Sequence, residues 1–524
     1  MVYLLHQAVD IAAERFPDHE AVRFSGRGIT YRELKQRTDR LAYVLMERGV
    51  SRGDRVGIYL KKSIESIVAI YGILKAGAAY VPLDPFAPTA RLSFVLRDCG
   101  VHHLVTSNDQ IDFVGEMMAQ GAALTHLIGV APQKTLAAST IAWEEVYATP
   151  VDSLPNAGTI EQDLAYILYT SGSTGDPKGI MHTHRSGLSF AQWAAETYGL
   201  QPEDRLSNHA PLHFDLSTFD IFAAALAGAT TVVIPEPLTK FPASLSRLIE
   251  NEKITVWYSV PFALIQMMLR GGIEQRDFSS LRWLLFAGEV FPTKHLRQLM
   301  TKLPHVKFSN LYGPTETNVC TYYHVESVPE TDEPIPIGIV CENAEALVVD
   351  ADDNPVAPGE VGELLIRGPI VMRGYWAQPE KTERGFFKRK IFSYLEDIFY
   401  RTGDLVEQQP DGNFKYLGRK DHQIKTRGYR VELGEIETAL VSFDMVEEAA
   451  VYPVPDGQGS NLIEAVITVK DGKSISVEQL EEHIAKRLPS YAMPAKILVA
   501  DSFPRTSTGK INRRELQAQA IGTN

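Results

Sequence analysis

Helix-like and strand-like segments alternate along the first part of the chain, and this alternation constrains the fold more than any other feature. The segment "YRELKQRTDRLAYVLMERGV" (31–50) has apolar residues at helical spacing, and "DRVGIYL" (54–60) has the pattern of a short buried strand. The same pair recurs in "SIESIVAIYGILKAG" followed by "AAYVPLDP", and again in "RLSFVLRDCG" followed by "VHHLVTS". Such alternation favours an α/β fold with largely parallel sheets.

The pattern changes in the second half of the chain. From about Pro334, segments such as "EALVVDADDNPVAPGEVGELLIRG" read as short strands separated by turn residues, which predicts a small β-rich unit. After "YLGRKD" comes a unit of about a hundred residues with two strands and a helix, in which Ser476 and Gln479 are placed as a capping box. We therefore predict an N-terminal domain over residues 1–417 and a C-terminal domain over residues 418–524.

Composition and charge exclude several classes of protein. A chain of 524 residues is too long for one core, and its net charge of −13 argues against a nucleic-acid partner. The three cysteines are widely spaced and form no CxxC, so neither a disulfide framework nor a zinc site is implied. The N-terminus lacks a basic region, and the longest apolar stretches fall short of the roughly 18 residues of a membrane span. These features predict a cytoplasmic protein without a membrane partner.

The stretch "YTSGSTGDPKGI" (169–180) has the residue types of a phosphate-binding loop. Glycines let backbone N–H groups approach an anion, hydroxyls add donors, and Lys178 adds a charge. The stretch is not a Walker A loop, because the GxxxxGK[ST] spacing fails and Pro177 stands where the helix should begin. Taken alone, the stretch has a mobile Ser/Gly surface loop as its alternative interpretation.

Six further motifs follow the same order as in a known superfamily. They are "LKAGAAYVPLDP", "NLYGPTET", "YRTGDL", "GRKDHQIKTRGYRVELGEIE", "LPSYAMPA" and "PRTSTGKINRREL". With the glycine-rich loop, they resemble the motif series of the adenylate-forming enzymes: acyl-CoA synthetases, luciferases and nonribosomal peptide synthetase adenylation domains. The resemblance implies two doubly wound α/β subdomains and a small β-barrel-like unit, followed by a smaller, mobile α+β C-terminal domain.

The chemistry of that superfamily gives the motifs their roles. Attack of a carboxylate on the α-phosphate of ATP yields an acyl-adenylate, which a thiol then opens, and the charge on the phosphates must be neutralised during the first step. ATP and Mg²⁺ are therefore the expected cofactors. The resemblance implies that the nucleotide is bound by Thr170, Ser171, Gly172, Ser173, Thr174, Gly175, Lys178, Gly288, Glu289, Asn310, Tyr312, Gly313, Thr315, Asp404, Arg419 and Lys510.

The catalytic assignments also follow from the resemblance. Lys510 would reach the substrate carboxylate and the α-phosphate, Glu316 would hold Mg²⁺, and Thr174 and Lys178 would bind the phosphates. Asp421 matches the hinge about which the C-terminal domain rotates between the two half-reactions. For Arg430 in "GYR", a local ion pair and a phosphate contact are both open.

Asp215 in "HAPLHFDLSTFDIF" matches the aspartate that pairs with the α-ammonium in amino-acid-activating members. A buried carboxylate is costly unless it is paired, so a bound ammonium ion is a sensible partner. The alternative is an N-cap for the helix that begins near Leu216. Motif matching gives the predicted substrate pocket as Asp215, Leu216, Phe219, Tyr258, Leu285, Ala287, Leu311, Val319, Cys320 and Lys510.

Apart from Asp215 and Lys510, the predicted pocket is small and apolar, with one phenol. With Lys510, its residues resemble the pattern of stand-alone proline-activating adenylation enzymes, which load a separate phosphopantetheinylated carrier protein. Only fourteen residues follow Lys510, and no HHxxxDG condensation motif is present, which favours the stand-alone form. Two alternatives remain: a CoA ligase of a small apolar acid, against which Asp215 argues, and a non-catalytic nucleotide-binding protein.

Overall fold

The structure is a computed structural model that describes residues 2–132, 136–172, 176–420, 423–457, 460–470, 473, 475–505 and 511–522. Its α-helices are α1 Gln7–Arg15, α2 Tyr31–Glu47, α3 Ile64–Lys75, α4 Thr89–Asp98, α5 Ile111–Ala119, α6 Trp143–Ala148, α7 His184–Thr197, α8 Leu216–Thr218, α9 Ala224–Ala227, α10 Glu236–Thr239, α11 Pro242–Asn251, α12 Pro261–Arg270, α13 Thr293–Lys302, α14 Pro379–Arg384, α15 Leu433–Val441, α16 Val477–Ala485 and α17 Arg513–Gly522. A π-helical turn, Phe219–Ala223, joins α8 to α9, and short 3₁₀ turns span Asn108–Gln110, Ile273–Gln275 and Ser490–Ala492.

The strands, in chain order, are β1 Glu20–Phe24, β2 Arg27–Thr30, β3 Arg55–Ile58, β4 Ala79–Pro82, β5 His103–Val105, β6 His126–Ile128, β7 Ser139–Ile141, β8 Leu164–Thr170, β9 Lys178–Thr183, β10 Arg205–Asn208, β11 Thr230–Val233, β12 Val256–Ser259, β13 Trp283–Phe286, β14 Lys307–Tyr312, β15 Thr321–Val325, β16 Ile339–Val340, β17 Glu345–Val349, β18 Val361–Arg367, β19 Gly374–Tyr375, β20 Phe386–Phe392, β21 Leu395–Gln408, β22 Phe414–Arg419, β23 Gln423–Thr426, β24 Tyr429–Glu432, β25 Val446–Pro455, β26 Asn461–Val469 and β27 Lys496–Val499.

Two large mixed sheets form most of the molecule. The first has the order β19-β9-β8-β4-β3-β5-β6-β7, and its strands from β8 to β7 are parallel. The glycine-rich loop joins β8 to the antiparallel β9. The loop therefore lies within a hairpin and does not lead into a helix, as the failed Walker A spacing predicted.

The second large sheet positions the candidate site. Its order is β16-β15-β14-β13-β12-β10-β11-β1-β2, and β11, β10, β12, β13 and β14 are parallel. The segments after β10, β12, β13 and β14 leave the sheet at its carboxyl edge, where open α/β sheets bind their ligands. Because the predicted pocket residues follow or end these strands, the parallel topology brings distant parts of the sequence together.

A five-stranded antiparallel sheet follows. Four of its strands have the order β17-β18-β21-β20, and the fifth strand, β22, pairs with β21. The pairing places Asp404 of β21 opposite Arg419 of β22. Since β22 continues to Arg419, the strand crosses the predicted boundary between residues 417 and 418. The domain limits themselves stay a prediction.

The C-terminal part consists of the β23–β24 hairpin, α15, the sheet β25-β26-β27, α16 and α17. Helices α15 and α16 pack their apolar residues against this sheet. The capping box predicted at α16 is only half formed: Ser476 accepts a hydrogen bond from the Gln479 N–H at 3.4 Å, but the reciprocal bond is absent. The predicted α/β class, with a large N-terminal part and a smaller C-terminal part, is confirmed, whereas the mobility of the smaller part stays a prediction.

Among the described helices, none has the length and apolarity needed to cross a bilayer.

Candidate active site

Two neighbouring cavities lie at the carboxyl edge of the nine-stranded sheet. The small cavity has a volume of about 80 Å³ and the large cavity about 440 Å³. Gly288 and Lys425 line both of them, so the cavities meet at these residues. The β23–β24 hairpin closes over the junction, and Ser171 of the glycine-rich loop donates a hydrogen bond to the Arg430 carbonyl oxygen at 2.9 Å.

Asp215 lines the small cavity, and its carboxylate is half-buried. It caps α8 by accepting a hydrogen bond from the Leu216 N–H at 3.1 Å. Within the described residues, Asp215 forms no salt bridge, and burial raises its pKa to about 6. The N-cap and ligand-binding interpretations are therefore compatible, because one oxygen caps the helix while the charge is influenced by Lys425 without forming a salt bridge in the described chain.

The predicted pocket residues divide into those that line a cavity and those that lie behind one. Leu216, Tyr258, Ala287 and Val319 line the small cavity with Asp215. Phe219 packs edge-on against Tyr258 at 5.3 Å between ring centroids, and Leu285 and Cys320 are fully buried. Leu311 lines the large cavity instead.

Glu316 is a buried carboxylate with two cationic partners. Its Oε1 accepts hydrogen bonds from Lys178 at 3.1 Å and from the Tyr375 hydroxyl at 2.9 Å, and its Oε2 accepts one from Arg430 at 2.6 Å. Burial alone would raise the pKa of Glu316, but the cations of Arg430 and Lys178 hold it well below its usual range. Of the two interpretations of Arg430, the structure contains the ion pair, although its partner is 114 residues away in sequence.

The large cavity has the polar groups suited to a nucleoside. Tyr312 donates its hydroxyl proton to Asp404, and Arg419 donates to Asp404 at 3.0 Å. Glu289 accepts hydrogen bonds from the Gly428 N–H at 2.7 Å and the Ser460 hydroxyl at 3.1 Å, so it ties the C-terminal part to the cavity wall. Asn310 also lines this cavity.

Two glycines in the predicted nucleotide-binding set are required by close backbone contacts. A Cβ at Gly172 would lie 2.1 Å from the Asp176 carbonyl oxygen, and one at Gly313 would lie 1.7 Å from that of Asn318.

Thr170, Ser171, Gly313 and Thr315 line the small cavity. The other predicted residues of the loop (Ser173, Thr174 and Gly175), Asp421 and Lys510 lie outside the described residues.

Sequence reasoning missed Lys425, which lies where the two cavities meet. Its side chain is half-buried, the loss of hydration lowers its pKa, and its ammonium lies 5.8 Å from the centre of the Tyr312 ring. It is also close enough to Asp404 and Asp215 to feel both charges. The segment "HQIKTRGYR" contained the signal, because a lysine and two arginines alternate with apolar and small residues there.

Sequence reasoning also missed three ring side chains that line the small cavity: His213, Tyr429 and Tyr491. The two tyrosine rings stack at 3.9 Å between centroids. No sequence pattern singled them out, because only the packing of the C-terminal part against the core makes them part of a cavity wall.

The residues present fit Mg²⁺ only as an ion carried by a phosphate ligand. No group of three or more His, Cys, Asp or Glu side chains in the described ranges could hold a metal. Mg²⁺ commonly binds with one or two protein carboxylates plus substrate phosphates, and Glu316 supplies one such carboxylate beside the glycine-rich loop. Its contact with Arg430 would have to open to free the second oxygen.

Comparison with known proteins identifies the family. The chain matches the AMP-binding enzyme family over residues 9–376 and the AMP-binding enzyme C-terminal domain over residues 435–510. The chain belongs to the AMP-binding enzyme family, and the predicted relationship to the adenylate-forming superfamily is confirmed.

Two relatives match this chain along nearly the whole length of both proteins. An L-proline--[L-prolyl-carrier protein] ligase of Pseudomonas fluorescens is 38% identical over 520 residues, covering 99% of this chain and 100% of the relative. A ligase of the same name from Streptomyces coelicolor is 38% identical over 506 residues, covering 94% and 92%.

A solved structure of an artificially fused adenylation–PCP didomain, NpsA-ThdA from Klebsiella oxytoca, is 25% identical with a TM-score of 0.80, covering 95% of this chain and 94% of that one. The Vibrio cholerae adenylation domain AlmE, solved with glycyl-adenosine-5′-phosphate, shares the fold at 23% identity with a TM-score of 0.85, covering 100% and 98%.

Proposed function

We propose that the chain is an ATP-dependent, AMP-forming ligase that activates L-proline and loads it onto the phosphopantetheine thiol of a separate carrier protein. The observation that carries the proposal is Asp215, a half-buried carboxylate that forms no salt bridge in the described chain and lines a cavity of about 80 Å³ beside a larger, polar cavity. The two full-length relatives named as proline–carrier protein ligases support the same substrate and partner.

The small cavity suits proline for two reasons. Proline carries a secondary ammonium with two N–H donors, which the Asp215 carboxylate can accept. Its compact, apolar ring has no group that needs a polar anchor, and Leu216, Ala287 and Val319 offer apolar walls. A larger side chain such as that of phenylalanine should clash, and overpacking typically costs about 1–3 kcal/mol.

In the first half-reaction, the proline carboxylate attacks the α-phosphate of ATP and pyrophosphate leaves. Lys178 and the backbone of the glycine-rich loop would neutralise the departing phosphates, and Asp404 would accept hydrogen bonds from the ribose. Mg²⁺, when bound, would neutralise phosphate charge next to Glu316. Thr174 and Lys510 keep their predicted roles on the β- and γ-phosphates and on the carboxylate, respectively.

The second half-reaction requires a different arrangement of the C-terminal domain, with residues 418–524 rotating about Asp421. The described arrangement supports this view, because Lys425 and Arg430 occupy the site. Arg505 and Ile511, which flank the predicted lysine segment, pair with each other and line neither cavity. Lys425 would then neutralise the adenylate phosphate while the thiol attacks.

Exchange of labelled pyrophosphate into ATP tests the first half-reaction. The panel should contain the twenty amino acids, pipecolate and several carboxylic acids without an amine. Proline should give the highest rate, with pipecolate and valine as the closest competitors, because one methylene discriminates by only about 10–200-fold. A higher rate with an amine-free acid would overturn the proposal in favour of a CoA ligase. Absence of exchange with every acid would favour a non-catalytic protein.

A further inference from the structure

The small cavity has one wall that belongs to both parts of the molecule. Phe214 packs edge-on against Tyr429 at 5.2 Å between ring centroids, and Tyr429 in turn stacks on Tyr491. Arg91 pairs with Glu435 across the same junction. We call these residues the junction wall. Phe214, Tyr429 and Tyr491 of this wall line the small cavity, so a thiol that attacks an adenylate there comes next to them.

His213 lies at the junction wall and is not used by the chemistry described so far. Its ring contacts Phe214 edge-on at 5.0 Å, and it lines the small cavity two residues before Asp215. Its side chain is 13% exposed, and neither ring nitrogen has a hydrogen-bond partner in the described part of the chain. A buried imidazole is normally hydrogen-bonded, so one without a partner calls for an explanation.

Asp84 is the acidic group nearest to this imidazole. The His213 Nε2 lies 3.8 Å from an Asp84 carboxylate oxygen, which is too long for a hydrogen bond but close enough for charge stabilisation. Asp84 is itself held in place, because its other oxygen accepts a hydrogen bond from the Phe86 N–H at 3.0 Å. An acquired proton on His213 would therefore meet a fixed negative charge.

The surrounding groups keep the imidazole neutral before it reacts. Burial lowers the pKa of His213, and the cations of Arg91 and Lys62 act in the same direction. Asp84 and Glu236 oppose them. A histidine that is neutral at pH 7 and faces a carboxylate has the properties of a general base.

We propose that His213, oriented by its charge contact with Asp84, is the general base that accepts the proton of the attacking thiol in the second half-reaction. The inference rests on the proposed function. The thiol proton passes to an imidazole nitrogen of His213 as sulfur bonds to the acyl carbon. The bond between that carbon and the phosphate oxygen then breaks, AMP leaves with the electron pair, and His213 later releases its proton to water.

The test separates proton removal from adenylate formation. Single-turnover transfer from preformed prolyl-adenylate to pantetheine is measured between pH 6 and 10 for the wild type, His213→Gln and His209→Gln. His209 is the matched control, because it is a half-buried histidine of the same loop that packs against Trp257 with tilted rings, 5.4 Å between centroids, and does not line the cavity.

The wild-type rate should be nearly constant above pH 7. The rate of His213→Gln should be lower by about 10²-fold at pH 7, the lower end of general-base effects, and should rise about tenfold per pH unit towards the thiol pKa of about 8.5. His209→Gln should keep the wild-type profile. Asp84→Asn should lower the transfer rate less than His213→Gln does, and the acidic limb of its pH profile should move to lower pH. If His213→Gln does not fold, Asp84→Asn provides the test.

A parallel pH profile in His213→Gln and wild type, or a loss of transfer no greater than the loss of pyrophosphate exchange, would overturn the role of His213. If wild type forms no prolyl-adenylate, the proposed substrate fails instead. The transfer assay is then run with whichever acid supports exchange, and the same comparison of profiles decides the role of His213.

Discussion

Asp215 and Glu316 are both carboxylates of the candidate site, one half-buried and one fully buried, yet their electrostatic surroundings differ. Glu316 contacts Lys178, Arg430 and the Tyr375 hydroxyl, and the two cations hold its pKa well below the usual range. Asp215 has a backbone N–H as its partner and no salt bridge in the described chain, and burial raises its pKa to about 6.

The difference indicates which carboxylate is prepared for a ligand. Glu316 is already neutralised by the protein, so a ligand there has to displace or rearrange existing partners. Asp215 loses hydration without gaining a salt bridge in the described chain, and the cation of Lys425 only partly offsets this cost, which a bound ammonium ion can recover. Substrate selection should therefore depend on Asp215, whereas the integrity of the site should depend on Glu316.

Replacing Glu316 should have the largest effect on stability. Glu316→Gln keeps the shape but leaves Lys178 and Arg430 as buried, uncompensated cations, which typically costs about 3–5 kcal/mol. Urea unfolding measures the change. The control is Glu383→Gln, which removes a surface ion pair with Lys388 and should cost about 1 kcal/mol or less. Equal losses in the two variants would contradict the assignment of Glu316 as a neutralised centre.

Replacing Asp215 should change stability in the opposite direction. Asp215→Asn keeps an N-cap acceptor and removes the cost of burying a charge, so the unliganded protein should gain about 1–3 kcal/mol at pH 7.5. The sign follows from a folded pKa of about 6 against an ordinary value of 3.8: the cost is present above pH 6 and absent below pH 4. The gain should therefore disappear in urea unfolding at acidic pH. A destabilised variant at pH 7.5 would show that Asp215 already has a compensating partner.

The affinity for proline should depend on pH through the same carboxylate. In the proposed function ionised Asp215 binds the ammonium of proline, so the KM for proline should rise by up to tenfold for each pH unit below about 6. The KM for ATP, measured in the same exchange assays, is the internal control and should follow a different profile. A flat KM for proline between pH 5 and 8 would contradict this prediction, because it would require Asp215 to stay ionised throughout that range.

Much of the fold could be predicted from periodicity, because each strand and helix of the first half buries its own apolar face. "SIESIVAIYGILKAG" became α3, which begins at Ile64, one residue after its Ser63 cap. Only one of the two hydrogen bonds of the capping box predicted at α16 is formed, because a local motif permits a hydrogen bond without enforcing it.

The candidate site could be located from motifs at Asp215 and Glu316, whose roles stay predictions. It was not predictable where tertiary packing decides. Leu311 faces the large cavity rather than the small one, and Lys425 enters the site only because Gly428 lets the β23–β24 hairpin approach closely; a Cβ there would lie 2.5 Å from a Val260 methyl group.

The central claim, that Asp215 selects an ammonium ion, is tested most directly by comparing proline with cyclopentanecarboxylate, which has the same ring size and no amine. Pyrophosphate exchange should give wild type a preference for proline in kcat/KM on the order of 100-fold, since truncating one partner of a buried charge pair costs about 2–5 kcal/mol. In Asp215→Asn the two acids should differ by less than about tenfold. The same preference in both proteins would contradict the claim, because selection would then reside elsewhere in the cavity.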